Sequence, residues 1–262
     1  MSTQVQEEIR YKPVKTILVS QPAPAAGQKS QYADIEQKYG VKVDFREFTR
    51  VDNVLAKEVR KQKVNPAEFG SVILNSRHAV DHFFRICGEM RIKMSEDTRY
   101  FCMTENIANY LQKFIVYRKR RVIAGVKTIE DLKPFLIKYK DKGEYLIPCG
   151  NAGAREITAF MQANSLNYKE CVMFETVSSD LSDLADITYD VLVFFNAQGI
   201  KSLFDNFPDF KQNETRLAIF GKTTVQAVKE HEGLVINIEA PLPDVPSMSV
   251  ALERYIKIAN KV

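Results

Sequence analysis

The sequence has no apolar run close to the roughly 18 residues that a membrane-crossing helix needs. Its beginning, MSTQVQEEIRYK, is too polar for a secretory signal peptide. We therefore expect a cytoplasmic protein that has no membrane partner. The composition, 45% hydrophobic and 27% charged, is that of an ordinary globular protein, and 262 residues are enough for two domains.

Cysteine and histidine are too few and too scattered to indicate a metal centre. The four cysteines form no CxxC pair, so we expect free, buried thiols rather than disulfides or metal ligands. His78 and His82 have the i, i+4 spacing of a zinc-binding pair. The glutamate that such a motif carries between its histidines is missing, and no third ligand is evident. The sequence predicts no metal.

Nucleotide-binding loops are missing as well. Gly221-Lys222-Thr223 resembles the end of a P-loop, but Arg216 occupies the position of the first P-loop glycine. No strand is followed by a GxGxxG turn, which excludes the Rossmann dinucleotide site. Ser76 lacks the GxSxG elbow and the orienting acid of a nucleophilic serine. We therefore predict no cofactor, and the sequence identifies no general acid.

One strand–turn–helix unit is present twice. Val191–Phe195 is a continuous run of strand formers, the polar turn Asn196–Gly199 interrupts it, and apolar residues then recur at helical spacing up to Phe207. The same order occurs about 120 positions earlier, with the strand Val72–Leu74 and the turn Asn75–His78. A repeat of this length indicates two copies of one fold.

The rest of the chain extends this repeat into two series of strands and helices. Strands at 16–20, 72–74, 101–103 and 122–124 correspond to strands at 145–148, 191–195, 217–220 and 235–238. Strands that alternate with helices predict parallel sheets with helices on both faces. Two further segments, 41–48 and 172–177, have the pattern of half-exposed strands. We predict two similar α/β domains with a cleft between them.

The turns that follow the strands carry small polar residues instead of a catalytic constellation. At the carboxyl ends of parallel strands, their amides and hydroxyls can donate hydrogen bonds to an anion. The same side chains also suit plain helix caps, and a single turn favours that interpretation. Several turns that face one cleft favour an anionic ligand. The predicted ligand-holding residues are Ser76, Asn151, Asn196, Gln198, Thr223 and Thr224.

The basic run Arg118–Arg121 leaves a nucleic-acid-binding protein as an alternative. No helix-turn-helix, RNA-recognition or zinc-finger pattern surrounds the run. We therefore interpret it as a solvated edge that leads into the strand at 122–124, and we expect no nucleic-acid partner.

Five motifs in order resemble the uroporphyrinogen-III synthase family, over a stretch from about Lys15 to Tyr255. They are Val72–Val80 (family F-T-S-x-x-A-V), Ile147–Glu156 (family P-C-G-N…R-E), Val172–Val177 (family V-Y-x-T-V), Phe194–Gly199 (family F-F-S-P-S-G) and Ala218–Thr224 (family A-I-G-P-T-T). The resemblance implies that Phe174 replaces a family tyrosine proposed to assist departure of a hydroxyl group. No catalytic residue is therefore assigned.

The resemblance also implies a discontinuous architecture. One domain would combine 1–41 with 179–262, and the other would be 51–170. The two segments that connect the domains, 42–50 and 171–178, would pair as a two-stranded β-ladder hinge.

A reaction in haem biosynthesis is implied by the same resemblance. A member of this family would cyclise the linear tetrapyrrole hydroxymethylbilane to uroporphyrinogen III, with loss of water and inversion of the last pyrrole ring. It would act as a cofactor-independent lyase and as a monomer. Such catalysis consists mainly of holding a carboxylate-rich chain in a curled geometry. The alternative is a non-catalytic relative that binds a tetrapyrrole or another polyanion in the inter-domain cleft.

Overall fold

The computed structural model describes residues 12–261, so the beginning of the predicted segment 1–41 and residue 262 lie outside the described range. In chain order, its strands and helices are β1 (Thr16–Val19), α1 (Ala33–Tyr39), β2 (Lys42–Phe45), β3 (Thr49–Asn53), α2 (Ala56–Lys61), β4 (Ser71–Leu74), α3 (Arg77–Glu89), β5 (Arg99–Cys102), α4 (Glu105–Leu111), β6 (Val122–Ala124), α5 (Lys133–Tyr139), β7 (Tyr145–Gly150), α6 (Arg155–Ala163), β8 (Tyr168–Ser178), β9 (Val191–Phe194), α7 (Ala197–Asn206), β10 (Arg216–Phe220), α8 (Lys222–Lys229), β11 (Ile236–Ala240) and α9 (Met248–Ala259). The chain forms two compact units. The first takes the described residues up to Arg50 and from Val177 onward, and the second is Val51–Thr176.

The first unit is built on a five-stranded sheet in the order β11-β10-β9-β1-β2. Neighbouring strands in it are parallel, with Ile17 beside Val191 and Ile219 beside Phe194. All residues of β9 are buried. A strand that is buried on both faces consists of a continuous apolar run, which is why β9 is recognisable in the sequence.

Alternate residues of these strands belong to two separate cores, one on each face of the sheet. Val193 belongs to a core that includes Ile35 of α1 and Leu252 of α9. Its neighbour Leu192 belongs to another core, which includes Leu203 of α7. Successive side chains of a strand point to opposite faces, so helices cover both sides of the sheet. Each fully buried side chain of this size stabilises the unit by about 1.5–3 kcal/mol. The predicted parallel sheet flanked by helices is confirmed.

The second unit is built on a six-stranded sheet in the order β3-β8-β7-β4-β5-β6. The pairs from β8 to β6 are parallel. Val72, Ile73 and Leu74 of β4 are all 0% exposed, so this central strand is also covered on both faces. The order places β7 and β5 on either side of β4, and it is this arrangement that brings their carboxyl-terminal turns together.

The segment 42–50, predicted as one crossing strand, is two strands. β2 lies beside β1 in the five-stranded sheet, whereas β3 lies beside β8 at the edge of the six-stranded sheet. Between them, Arg46 donates hydrogen bonds of 3.0 Å to both carboxylate oxygens of Asp183, and Phe48 packs edge-on against Phe194. Both contacts join residues that are distant in sequence. The action of β3 and β8 as a hinge remains a prediction.

Candidate functional site

In the first unit, two of the predicted turns are neighbours because β9 and β10 pair along their length. Asn196 is the N-cap of α7, where its Oδ1 accepts a 2.8 Å hydrogen bond from the amide of Gly199. Gln198 is half-buried in the first turn of α7, and Thr223 is exposed in the first turn of α8. The carboxyl edge of this sheet therefore brings Asn196, Gln198 and Thr223 to one side of the unit.

Thr224 lies in the same turn as Thr223, but its side chain is buried. It is 0% exposed, and its hydroxyl has no hydrogen-bond partner among residues 12–261. A buried hydroxyl without a partner costs about 1–3 kcal/mol of stability. The Thr224 hydroxyl can therefore still donate and accept a hydrogen bond, and it lies beneath the turn that begins at Gly221.

The amides at the start of α8 are available to a ligand. The helix begins at Gly221, whose φ of 87° lies in the left-handed region that favours glycine. No side chain caps this helix. The first amides of a helix have no partner within it, and together they attract an anion.

In the second unit, Ser76 and Asn151 follow the paired strands β4 and β7. Ser76 is the N-cap of α3, and its Oγ accepts a 3.1 Å hydrogen bond from the amide of Ala79. Thr104, which follows β5 on the other side of β4, caps α4 in the same way through the amide of Ile107. The carboxyl edge of this sheet is therefore a row of helix starts.

Asn151 uses its side chain to hold β8. Its Nδ2 donates to the carbonyl of Thr176 at 3.3 Å, and its Oδ1 accepts from the amide of Thr176 at 3.1 Å. Asn151 also lines a cavity of about 570 Å³, with Asn53, Val54, Leu55, Glu58, Lys61, Gln62, Val172 and Glu175. The amide group of Asn151 is committed to the fold, so any ligand contact at this turn would fall to the backbone next to it.

Phe174 packs over the end of β7. It is 8% exposed, and a β-carbon on Gly150 would lie only 2.7 Å from its Cε2 atom. Only a glycine at position 150 allows the ring this close to the backbone. The ring carries no ionisable group, so Phe174 can shape the edge but cannot transfer a proton.

Two histidines of α3 lie against Phe174. The His82 ring stacks on it with centroids 4.8 Å apart, and the His78 ring is 6.1 Å away. From the sequence, this pair is considered only as possible metal ligands, and its stack on Phe174 is not predicted. The i, i+4 spacing was the available signal, because it places both rings on one face of a helix.

Arg85 favours the neutral form of His82. Its Nε donates to His82 Nδ1 at 3.3 Å, and its Nη2 donates to the carbonyls of Val54 and Met173 at 2.9 and 2.7 Å. An imidazole nitrogen that accepts a hydrogen bond carries no proton, so His82 is neutral, with its proton on Nε2. Burial, Arg85 and His78 lower the pKa of His82, which favours the same neutral form.

Cationic side chains also lie at the start of α3 and the end of α4. Arg77 and Lys113 lie over the ring of Tyr110, at 5.3 and 4.4 Å from its centroid. The Tyr110 hydroxyl donates a 2.8 Å hydrogen bond to Asp81, which raises the pKa of the phenol. The two cations would favour a carboxylate ligand at this edge.

A second cavity, of about 680 Å³, lies at the opposite edge of the first unit's sheet. Its walls include Tyr189 and Asp190, which precede β9, and Glu214 and Thr215, which precede β10. It contains none of the predicted ligand-holding residues. Ligands of open α/β sheets bind at the carboxyl ends of strands, so we place the candidate site at the turns rather than in this larger cavity.

The cysteines do not contribute to a site. Cys87, Cys102, Cys149 and Cys171 are buried and free, and burial raises the pKa of each thiol to about 12. Residues 12–261 contain no group of three or more His, Cys, Asp or Glu side chains that could hold a metal ion. Within the same range, no helix combines the length and the hydropathy that a membrane crossing requires.

Comparison with known proteins gives a consistent result. The model of a family described as uroporphyrinogen-III synthase HemD matches residues 31–249. No curated protein sequence matches the chain. Two solved structures of similar fold are a mutant uroporphyrinogen III synthase from the extremely thermophilic bacterium Thermus thermophilus and the uroporphyrinogen-III synthetase of Helicobacter pylori.

The structural similarity extends over nearly the whole chain. The Thermus enzyme is 12% identical with a TM-score of 0.54, over 95% of this chain and 100% of that one. The Helicobacter enzyme is 16% identical with a TM-score of 0.58, over 93% of this chain and 99% of that one. At these identities the two structures establish the fold, and the family model carries the assignment.

Proposed function

Because the chain belongs to the uroporphyrinogen-III synthase family, we propose that it cyclises hydroxymethylbilane to uroporphyrinogen III as a cofactor-independent lyase. The hydroxymethyl group of the substrate loses its oxygen as water and leaves an azafulvene cation. The last pyrrole ring is inverted through a spiro intermediate as the macrocycle closes. The pyrrole π-system stabilises the cation largely by itself, so the protein's main task is to hold the chain in a curled geometry.

The observation that carries this proposal is the row of helix starts at the carboxyl edge of each sheet. α3, α7 and α8 all begin directly after a parallel strand, so their first amides are grouped at these edges. Such amides bind carboxylates without a positively charged side chain. Such amide donors suit a substrate that carries many carboxylates.

The predicted residues have different tasks in this proposal. Ser76 and Asn196 use their side-chain oxygens as caps, so they orient the backbone amides that meet the substrate. Gln198 is half-buried and Thr223 is exposed, so their side chains are accessible to donate to a carboxylate. The hydroxyl of Thr224 becomes a donor if the turn at Gly221 moves aside. Asn151 positions the turn after β7.

The same proposal includes a monomer in the cytoplasm with no nucleic-acid partner. The basic run Arg118–Arg121 supports the absence of a nucleic-acid partner, because two of its arginines already form ion pairs with acidic residues. Arg118 lies 2.5 Å from Glu96, and Arg121 is paired with Asp97. Neutralised arginines contribute little to the phosphate binding that dominates nucleic-acid affinity.

Substitutions in the turns test whether holding is shared. We expect Gln198→Ala and Thr223→Val each to lower kcat/KM several-fold, and the double variant to lower it by about the product, because each residue contributes one hydrogen bond to the substrate. Asn213→Gly is a matched control, since Asn213 is an exposed polar residue of the same unit that lies in the cavity at the opposite edge, and glycine readily adopts its φ of 44°. Complete loss of activity from either single variant would mean that the residue takes part in the chemistry itself.

A further inference from the structure

The proposed cyclisation needs a proton for the departing oxygen, and the turns of capped helices do not supply one. Amides and hydroxyls can hold carboxylates, but their protons are not released near neutral pH. Histidine is the side chain whose ordinary pKa lies there. Both histidines of the second unit belong to the α3 face that packs on Phe174.

The two histidines differ in what they can do. His82 is 9% exposed, and its Nδ1 is occupied by Arg85, so it is held as a neutral ring. His78 is exposed and follows the cap residue Ser76 by two positions. It therefore lies in the first turn of α3, at the carboxyl edge of the second unit's sheet. The His78 side chain is therefore accessible to solvent and to a ligand, whereas the His82 side chain is enclosed by the protein.

We infer that His78 is the proton donor of the reaction and that His82 is a positioning residue that holds the Phe174 ring beneath it. This inference rests on the proposed function. In the step, the carbon–oxygen bond of the hydroxymethyl group breaks and its electron pair leaves with the oxygen. The oxygen takes a proton from the His78 imidazolium and departs as water. The positive charge stays on the pyrrole, and His78 becomes a neutral imidazole.

A second proton transfer restores the histidine. Closure of the macrocycle releases a proton from the attacking pyrrole carbon, and the neutral His78 accepts it. Over one turnover the substrate loses one water molecule and the protein is unchanged. Phe174 carries no ionisable group, so it does not compete for the proton.

Few charged groups act on this pair. Arg85, Asp81 and His78 act on His82, and all belong to α3. Asp81 is hydrogen-bonded to Tyr110 of α4, and Arg77 lies over the same tyrosine ring. From β8, the ring in contact with both imidazoles is that of Phe174.

The test compares wild type, His78→Gln, His78→Ala and His231→Ala in the isomer-resolved assay with hydroxymethylbilane. We expect both His78 variants to lower kcat by about 10- to 100-fold with little change in KM, near the low end of general acid–base effects because the pyrrole itself expels the oxygen. Added imidazole should restore part of the activity of His78→Ala. We expect kcat/KM of wild type to fall above neutral pH and this fall to be missing in His78→Gln. His231, which stacks on Phe204 at 4.1 Å in the first unit, is the matched control and should stay at wild-type activity.

Each result has one interpretation. Wild-type kcat and an unchanged pH profile in His78→Gln would overturn the role of His78 while leaving the synthase function intact. Loss of activity without rescue by imidazole, together with an unchanged pH profile, would also overturn it and assign a purely structural role. A wild-type protein that gives only the type I isomer would overturn the proposed function and this inference with it.

Discussion

At the scale of single residues, the contact between Gly150 and Phe174 shapes the edge of the second unit. A β-carbon at Gly150 would lie within 2.7–3.2 Å of three atoms of the ring. We expect Gly150→Ala to lower the free energy of unfolding by about 1–3 kcal/mol, because the packed ring would have to move. Urea unfolding of the two proteins measures this difference.

Phe174→Leu provides the background that isolates the cause. Leucine is more flexible than phenylalanine and does not extend as a rigid ring over Gly150. In the Phe174→Leu background, Gly150→Ala should lower the free energy of unfolding by clearly less than in wild type. This comparison is a double-mutant cycle between two residues in contact. Equal costs in both backgrounds would show that the ring is not the obstacle.

His82 makes the stability of the second unit depend on pH. Its pKa is lowered in the folded protein, mainly by burial, and is about 6.5 in an unfolded chain. As the pH falls below about 6.5, the unfolded chain binds a proton at this residue before the folded protein does. The free energy of unfolding therefore decreases as the pH falls from 6.5 to the lower pKa that His82 has in the folded protein.

His82→Phe measures this contribution. Phenylalanine can keep the stack on Phe174 but does not titrate. We expect the stability of wild type relative to this variant to fall between pH 7 and pH 5 in urea unfolding experiments. Curves that stay parallel over this range would mean that burial does not hold His82 neutral.

At the scale of helices and strands, the caps of the turns have a structural task that is separable from ligand binding. Asn196→Ala removes the acceptor for the amide of Gly199 and should cost about 1 kcal/mol of stability, whereas Asn196→Asp keeps that acceptor. Thermal unfolding gives the two values. In the assay, Asn196→Asp should lose more activity than its stability explains, because a carboxylate repels the acidic substrate. Wild-type activity in Asn196→Asp would place this turn away from the substrate.

The elements that are predictable from sequence are those with one dominant local cause. β4 and β9 are continuous apolar runs because both of their faces are buried, and α3 and α7 begin at Ser76 and Asn196 because those side chains cap amides three residues ahead. Hydrophobic pattern and cap chemistry are properties of a few neighbouring residues, so the sequence displays them directly.

The features that escape prediction depend on residues far apart in the chain. The segment after β2 is held by Arg46 pairing with Asp183, and the neutral state of His82 is favoured by Arg85, which also donates to the carbonyls of Val54 and Met173. Burial of Thr224 depends on how α8 packs on its sheet. The sequence locates these residues in turns after strands, but it does not separate caps from free donors.

At the scale of the whole molecule, the two units repeat one plan. In each, a fully buried strand leads through a capped turn into a helix, and a parallel neighbour brings a second helix start to the same edge. The repeat of about 120 residues in the sequence is the origin of this similarity. Each edge offers amide donors that suit the carboxylates of a polyanionic substrate.

The isomer produced from hydroxymethylbilane tests the central claim most directly. Without an enzyme this substrate closes to uroporphyrinogen I, since the last ring is not inverted. The purified protein should give uroporphyrinogen III as the main product, and heat-denatured protein should give only type I. A native protein that is stabilised by the tetrapyrrole but yields only type I would contradict the claim and identify a binding protein instead.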